Sequence, residues 1–218
     1  LLDPAVRPLV MGATFGIALT LVIIAGSELF TGHTMFLTLG VKAGTISRSQ
    51  MWAILPQTWM GNLLGSVFVA LLYCWGSGSL LPVDSSLVHT VALAKTSQSA
   101  MALFFKGALC NWLVCLAIWM AIRTEGAAKF IAIWWCLLAF IASGYEHSVA
   151  NMTLFALSWF GHHSDAYTLA GIGHNLLWVT LGNTLSGVVF MGLGYWYATP
   201  KSERPAPEKT NETESLAQ

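Results

Sequence analysis

Charge is what this chain has least of. Lys, Arg, Asp and Glu make up 9% of its 218 residues, where a soluble globular protein carries about 25%. That scarcity excludes an ordinary soluble domain. Ten basic and ten acidic residues leave a formal net charge of zero. With no basic arm and no glycine-rich phosphate cradle, nucleic acid and nucleotide are excluded as partners. Cysteine is sparse and unpatterned: Cys74, Cys110, Cys115 and Cys136 lie in apolar runs, without CxxC or Cys/His ligand spacing. They read as small packing residues, and neither a metal nor a cofactor is expected. No cleavable leader is recognisable either, because the first apolar run is too long and has no cleavage site.

Apolar sequence is what the chain has in plenty, at 56% hydrophobic residues. A bilayer core needs about 20 consecutive apolar residues per helix, and five runs satisfy that: 9–41, 51–76, 101–122, 130–160 and 170–198. They predict a multi-pass, all-α integral membrane protein, a single transmembrane domain over residues 1–199. Lys42 and Arg48 lie in one connection, Arg123 and Lys129 in another, and Lys201, Arg204 and Lys209 in the polar tail. The positive-inside rule places these at the cytoplasm, C-terminus included. Residues 200–218, rich in Pro, Glu, Lys and Thr, read as a disordered cytoplasmic tail.

Two of the runs, 9–41 and 130–160, are longer than a straight span requires. Each is interrupted by small and polar residues, Gly26-Ser27-Glu28-Leu29-Phe30-Thr31-Gly32-His33-Thr34 and Ser143-Gly144-Tyr145-Glu146-His147-Ser148-Val149-Ala150-Asn151. Unwound backbone survives at membrane depth only inside protein or along a cavity, and paired interruptions point to a transport site. The following spans carry Gly61-Asn62 and Gly182-Asn183, 34 residues after Glu28 and 37 after Glu146. A helix matching 101–122 is therefore expected ahead of Leu1. Three spans per half is an odd number, so the halves would insert in opposite orientations.

Polar groups inside the runs are the candidate site. An ionisable residue at membrane depth is by default a functional hypothesis, and His147 sits centrally in the second break. It is read as a hydrogen-bond donor or proton carrier facing an anion, ahead of a histidine that only bonds freed carbonyls. Thr31 can offer its hydroxyl to a solute or cap the half-helix after it. Glu28 and Glu146 are read as holding unwound backbone by accepting from its N–H groups, because bare carboxylates would repel an anion. Phe15, Leu19, Phe30 and Phe140 could form dry constrictions, although packing is the simpler reading of each alone. Lys95 and Lys106 could concentrate anions at the outer side. For Asn62, Asn111, Asn175 and Asn183, interhelical bonding and solute contact are equally open.

Three other classes compete with this reading. A haem-binding redox subunit would use His33, His147 and His174 in pairs level on facing helices. A non-conducting structural subunit would have no use for paired breaks. A water channel of the aquaporin type is disfavoured, because neither break has an Asn-Pro-Ala pair.

Four motifs in order, Gly26-Ser27-Glu28-Leu29-Phe30-Thr31-Gly32, Asn111-Trp112-Leu113-Val114-Cys115-Leu116-Ala117, the stretch Ala142 to Met152, and Thr180-Leu181-Gly182-Asn183, resemble the formate–nitrite transporter family. The resemblance runs from residue 1 to about 199. It implies an aquaporin-like inverted repeat of three-helix halves, with broken second and fifth helices and the first helix absent from this chain. It also implies a homopentamer in the bacterial inner membrane, each protomer having its own pore for a small monovalent anion, nitrite first and formate second. Passage would be channel-like or, alternatively, proton-coupled transport of formate or another weak acid, with no enzymatic step. The family's loop threonine falls on Thr31, its central histidine on His147, its vestibule lysine on Lys95 and its asparagine after glycine on Asn183. Its cytoplasmic constriction falls on Leu19 and Phe140, and its periplasmic one on Phe30 and Val114. Glu28, Glu146, Asn111, Asn151 and Asn175 are left as supports of the broken helices.

Overall fold

The computed structural model describes residues 3, 5–77, 87–161 and 163–204. The apolar runs become helices: α1 (Arg7–Ala25), α2 (Phe30–Ala43), α3 (Arg48–Ser77), α4 (Leu87–Thr96), α5 (Ala100–Ile122), α6 (Gly126–Ala142), α7 (Ser148–Phe160) and α8 (Leu169–Leu185). A π-helical stretch, Ser186–Leu193, carries α8 on into α9 (Gly194–Ala198), and a 3-10 turn follows at Lys201–Glu203. Among the described residues there is no strand. Four helical segments, Arg7–Ala25, Arg48–Gly76, Ala100–Ile122 and Leu169–Ala198, are long and apolar enough to cross a membrane.

Both over-long runs are broken, as α1 plus α2 and as α6 plus α7. The breaks are made the same way. Gly26 and Gly144 have φ of 77° and 67°, the left-handed conformation that glycine adopts without a Cβ penalty. The residue after each glycine turns its N–H back onto the helix it has left, Ser27 N to Val22 O at 3.0 Å and Tyr145 N to Phe140 O at 3.1 Å. This six-to-one closure satisfies carbonyls that a helix end would otherwise orphan. The chain then runs extended through Leu29 and through His147, each of which is the N-cap of the next half-helix.

The connection expected between the second and third runs contains a helix, α4. Its ten residues are apolar but too short to span, so a search for spanning runs passes over it. The expected disordered tail lies mostly outside the described residues, which end at Arg204.

α5 is the central helix. Its Cys110, Val114, Cys115 and Ile118 join one buried cluster with Leu137 and Phe140 of α6 and Met191 of the π stretch. Against α8 the approach is so close that a Cβ on Gly182 would lie 2.9 Å from the backbone nitrogen of Ala108. Small residues at such crossings let helix backbones meet where no hydrophobic force drives them together. All four cysteines are free thiols.

Candidate functional site

The two breaks meet at one hydrogen bond. Thr31, in the first turn of α2, and His147, the N-cap of α7, are both buried, with Thr31 Oγ1 3.0 Å from His147 Nε2. On the other side of the imidazole, the backbone N–H of Ala150 donates to Nδ1 at 3.0 Å. A backbone N–H can only donate, so Nδ1 is the unprotonated nitrogen. The ring is therefore neutral and its proton is on Nε2, aimed at Thr31. Thr31 does not cap α2, the alternative left open for it: the N-cap is Leu29, which has no side-chain bond.

Cavities flank this contact. One, of about 320 Å³, has Phe15, Lys95, Phe140, Tyr145, His147 and Asn151 in its wall. The other, of about 420 Å³, is bordered by Leu19, Leu29, Val114, Leu137, Phe140 and His147. Phe140 and His147 belong to both. The Phe140 ring stacks on the imidazole at 6.0 Å and meets Phe15 edge-on at 5.8 Å. The expected pairing of the constrictions needs correcting. Phe140 lines both cavities and so stands at their boundary, Val114 shares its cavity with Leu19, and Phe30 lines neither, packing instead with Met51 and Leu55 near the start of α3.

Asparagines, rather than carboxylates, hold the unwound backbone. Asn62 on α3 accepts from Phe30 N at 2.9 Å and donates to Glu28 O at 2.9 Å. Asn183 on α8 accepts from Ser148 N at 3.0 Å and donates to Glu146 O at 3.1 Å and to Gly107 O at 2.8 Å. Asn183, expected along the solute path, has no exposed surface, and its amide is fully committed to backbone. Asn111 ties the halves together, its Nδ2 reaching Thr31 O at 3.2 Å, Thr34 Oγ1 at 3.1 Å and Asn183 O at 2.7 Å.

The carboxylates do something else. Neither side chain accepts from unwound backbone, which corrects the expectation for both. Glu28 pairs with His33 and is largely exposed. Glu146 is buried, and its oxygens take Lys95 Nζ at 2.8 Å, Asn151 Nδ2 at 2.7 Å and Gln98 Nε2 at 3.2 Å. Asn151 also donates to Asn175 Oδ1, and Asn175 donates to the Lys95 carbonyl. Lys95 thus lines its cavity as half of an ion pair, not as the free cation expected, while Lys106 donates to Gln98 Oε1 at 2.7 Å.

Gln98 joins Lys106 to Glu146, which Lys95 meets directly, yet nothing in its loop sequence singles it out. Thr34 was visible only as part of the first break. Of the rings considered for haem, His33 bonds Glu28 and Thr58, His147 bonds Thr31, and His174 Nε2 bonds the Gln98 carbonyl. Each is committed to its own partners, and none of these bonds joins two of them.

Known proteins resemble the chain in sequence and in fold. A family model described as formate/nitrite transporter matches residues 2–197. Nitrite transporter NirC of Salmonella typhimurium is 89% identical over 217 residues, covering all of this chain and 81% of the relative. A solved structure titled FNT family ion channel superposes with a TM-score of 0.90 at 92% identity, covering 92% of this chain and 80% of that one. Another, titled pentameric formate channel with formate bound, superposes with a TM-score of 0.76 at 28% identity, covering 90% and 85%.

Proposed function

We infer the work of this chain from its family, because it belongs to the formate/nitrite transporters, integral membrane proteins that move solutes rather than transform them. We propose that it conducts small monovalent anions, nitrite first and formate second, through a pore within each protomer of a homopentamer. The observation carrying this reading is the buried Thr31–His147 contact where two broken helices meet between two cavities.

A bare anion entering apolar surroundings loses water at a cost of several kcal/mol unless hydrogen bonds replace it. Phe15, Phe140, Leu19 and Val114, which border the cavities, would strip that water, with Phe30 packed behind at the start of α2. Thr31 Oγ1–H and His147 Nε2–H are the donors that could replace it. Each can leave the other for a solute at little net cost, because a neutral intramolecular hydrogen bond contributes only about 0.5–1.5 kcal/mol. Asn111, Asn183 and Asn62 would keep both donors in register. The Lys42 end is assigned to the cytoplasm and the Lys95 end to the outside, with the two halves as inverted repeats in a bacterial inner membrane.

One observation favours a second reading, proton-coupled passage of the weak acid. The imidazole is neutral and Lys95 is matched by Glu146, so the neck offers dipoles without net positive charge. Such a neck suits a solute that crosses as its conjugate acid.

Proteoliposomes test the function. The purified protein is expected to speed nitrite uptake well above protein-free vesicles, with formate slower and a large monovalent anion such as gluconate excluded. Nitrite uptake no faster than in empty vesicles would overturn the assignment. Flux that rises steeply toward acid pH, accompanied by internal acidification, would select the proton-coupled reading over simple anion conduction.

A further inference from the structure

At the end of the bundle opposite Lys95, the chain gathers basic residues, with Glu125 and Glu203 as the acids that neighbour them in sequence. Lys42 closes α2, Arg123 follows α5, and Lys201 and Arg204 follow α9. The ion pairs among the described residues are His33–Glu28 and Lys95–Glu146, so none of these four cations is paired with a carboxylate there.

Lys42 and Arg204 converge on α9. Lys42 Nζ donates to the Tyr197 hydroxyl at 3.0 Å and stands 5.0 Å from the centre of that ring. Arg204 reaches back over the helix end, donating from Nε to Thr199 O at 2.9 Å and from a terminal nitrogen to Tyr197 O at 3.3 Å. Its guanidinium carbon lies 5.3 Å from the Trp196 ring. These bonds hold both cations in place and cover carbonyls that would repel an anion. An ammonium has three donors and a guanidinium five, so each keeps several N–H groups free. The Tyr197 oxygen accepts from Lys42, which leaves its own O–H to point outward. The constellation carries two positive charges and only donors. The partial negative charge at the end of α8 and α9, about half a unit, is too small to cancel it.

Such a donor set fits a tetrahedral oxyanion, and its position favours one held at a membrane surface. Tyr197 is exposed and Trp196 half-buried on the same helix, the placement aromatic rings take at the edge of the hydrocarbon. We propose that Lys42, Tyr197 and Arg204 form a binding site for a phosphate group, supplied by an anionic phospholipid headgroup of the leaflet at that end.

Native mass spectrometry of the full chain, released from mixed phosphatidylglycerol and phosphatidylcholine, reads this directly. Wild type is expected to retain phosphatidylglycerol in clear excess, and Lys42→Gln with Arg204→Gln to lose about fivefold of that excess per cation removed. Lys42→Gln alone tests the site should loss of Arg204 unfold the helix end, since Lys42 holds no backbone carbonyl. Millimolar inorganic phosphate separates the sources. Retention that survives it assigns the site to the lipid, and displacement shows that free phosphate satisfies the same donors. Equal retention of phosphatidylglycerol by wild type and Lys42→Gln would overturn the proposal, as would an excess unchanged in the double variant.

Discussion

Asn62 and Asn183 make the same two bonds at opposite breaks: each donates to the carbonyl of a glutamate, Glu28 or Glu146, and accepts from the N–H two residues later, Phe30 or Ser148. The two breaks are therefore held by the same local clamp. It also ranks the two asparagines. Removing the Asn183 amide leaves the Glu146 carbonyl and the Ser148 N–H unpartnered in a fully buried site, and each such orphan costs about 1–3 kcal/mol. Asn183→Ala should therefore lower thermal stability in detergent by clearly more than Asn62→Ala, which orphans two groups in a less buried place. Equal shifts in Tm would show that the clamps do not carry the breaks.

Lys95 and Glu146 form a pair whose carboxylate is almost wholly buried. Breaking such a pair from one side leaves an uncompensated charge and costs about 3–5 kcal/mol. Lys95→Met should be severely destabilising, and adding Glu146→Gln should restore much of the loss, because the neutral amide needs no counter-charge. Unfolding temperatures of the two singles and the double decide this. A double variant as unstable as the sum of its parts would mean that the pair is not coupled.

Gly182 sits where a side chain has no room. An alanine Cβ would meet the backbone of α5 rather than a flexible side-chain end, so the α5–α8 contact would have to open. Gly182→Ala is expected to cost about 1–3 kcal/mol, as overpacking does. Assembly measured by gel filtration after mild heating should fall with it. A variant as heat-stable as wild type would contradict so close a crossing.

How much of this was legible beforehand follows from the range of each interaction. The breaks were readable because glycine and small polar residues inside an apolar run have one local meaning, and Gly26 and Gly144 supply the turns themselves. Thr31 and His147 stood out because they lie within those breaks. The roles of the carboxylates were misread, because sequence suggests the nearest N–H as partner. Of the three partners of Glu146, Asn151 is local, but Lys95 and Gln98 come from about fifty residues away along the chain. Asn111 and Asn183 were visible as polar residues in helices, yet only packing decides between solute and backbone as their partner. That Phe140 borders both cavities and Phe30 neither depends on how the half-helices pack, which the constriction residues alone do not encode.

His147 has two jobs, and substitution separates them. As N-cap it accepts from Ala150 N, a contact whose loss costs roughly 1 kcal/mol. His147→Asn keeps a capping oxygen and should stay close to wild-type stability, whereas His147→Ala should lose about that amount in denaturation. Protonating Nδ1 would break the same bond, so acid should loosen the start of α7 in wild type and not in His147→Asn. Amide hydrogen exchange at Ala150 measures this. Exchange with the same pH dependence in both proteins would remove the imidazole from the cap.

The central proposal is that Thr31 and His147 act together as hydrogen-bond donors to the solute at the neck. Nitrite flux through proteoliposomes containing wild type, Thr31→Val, His147→Asn and the double variant tests it most directly. If the two donors work as a unit, each single change lowers flux by about tenfold or more, and the double is little worse than the worse single, the signature of coupled residues. Single effects that simply multiply, or flux untouched by either change, would contradict the account.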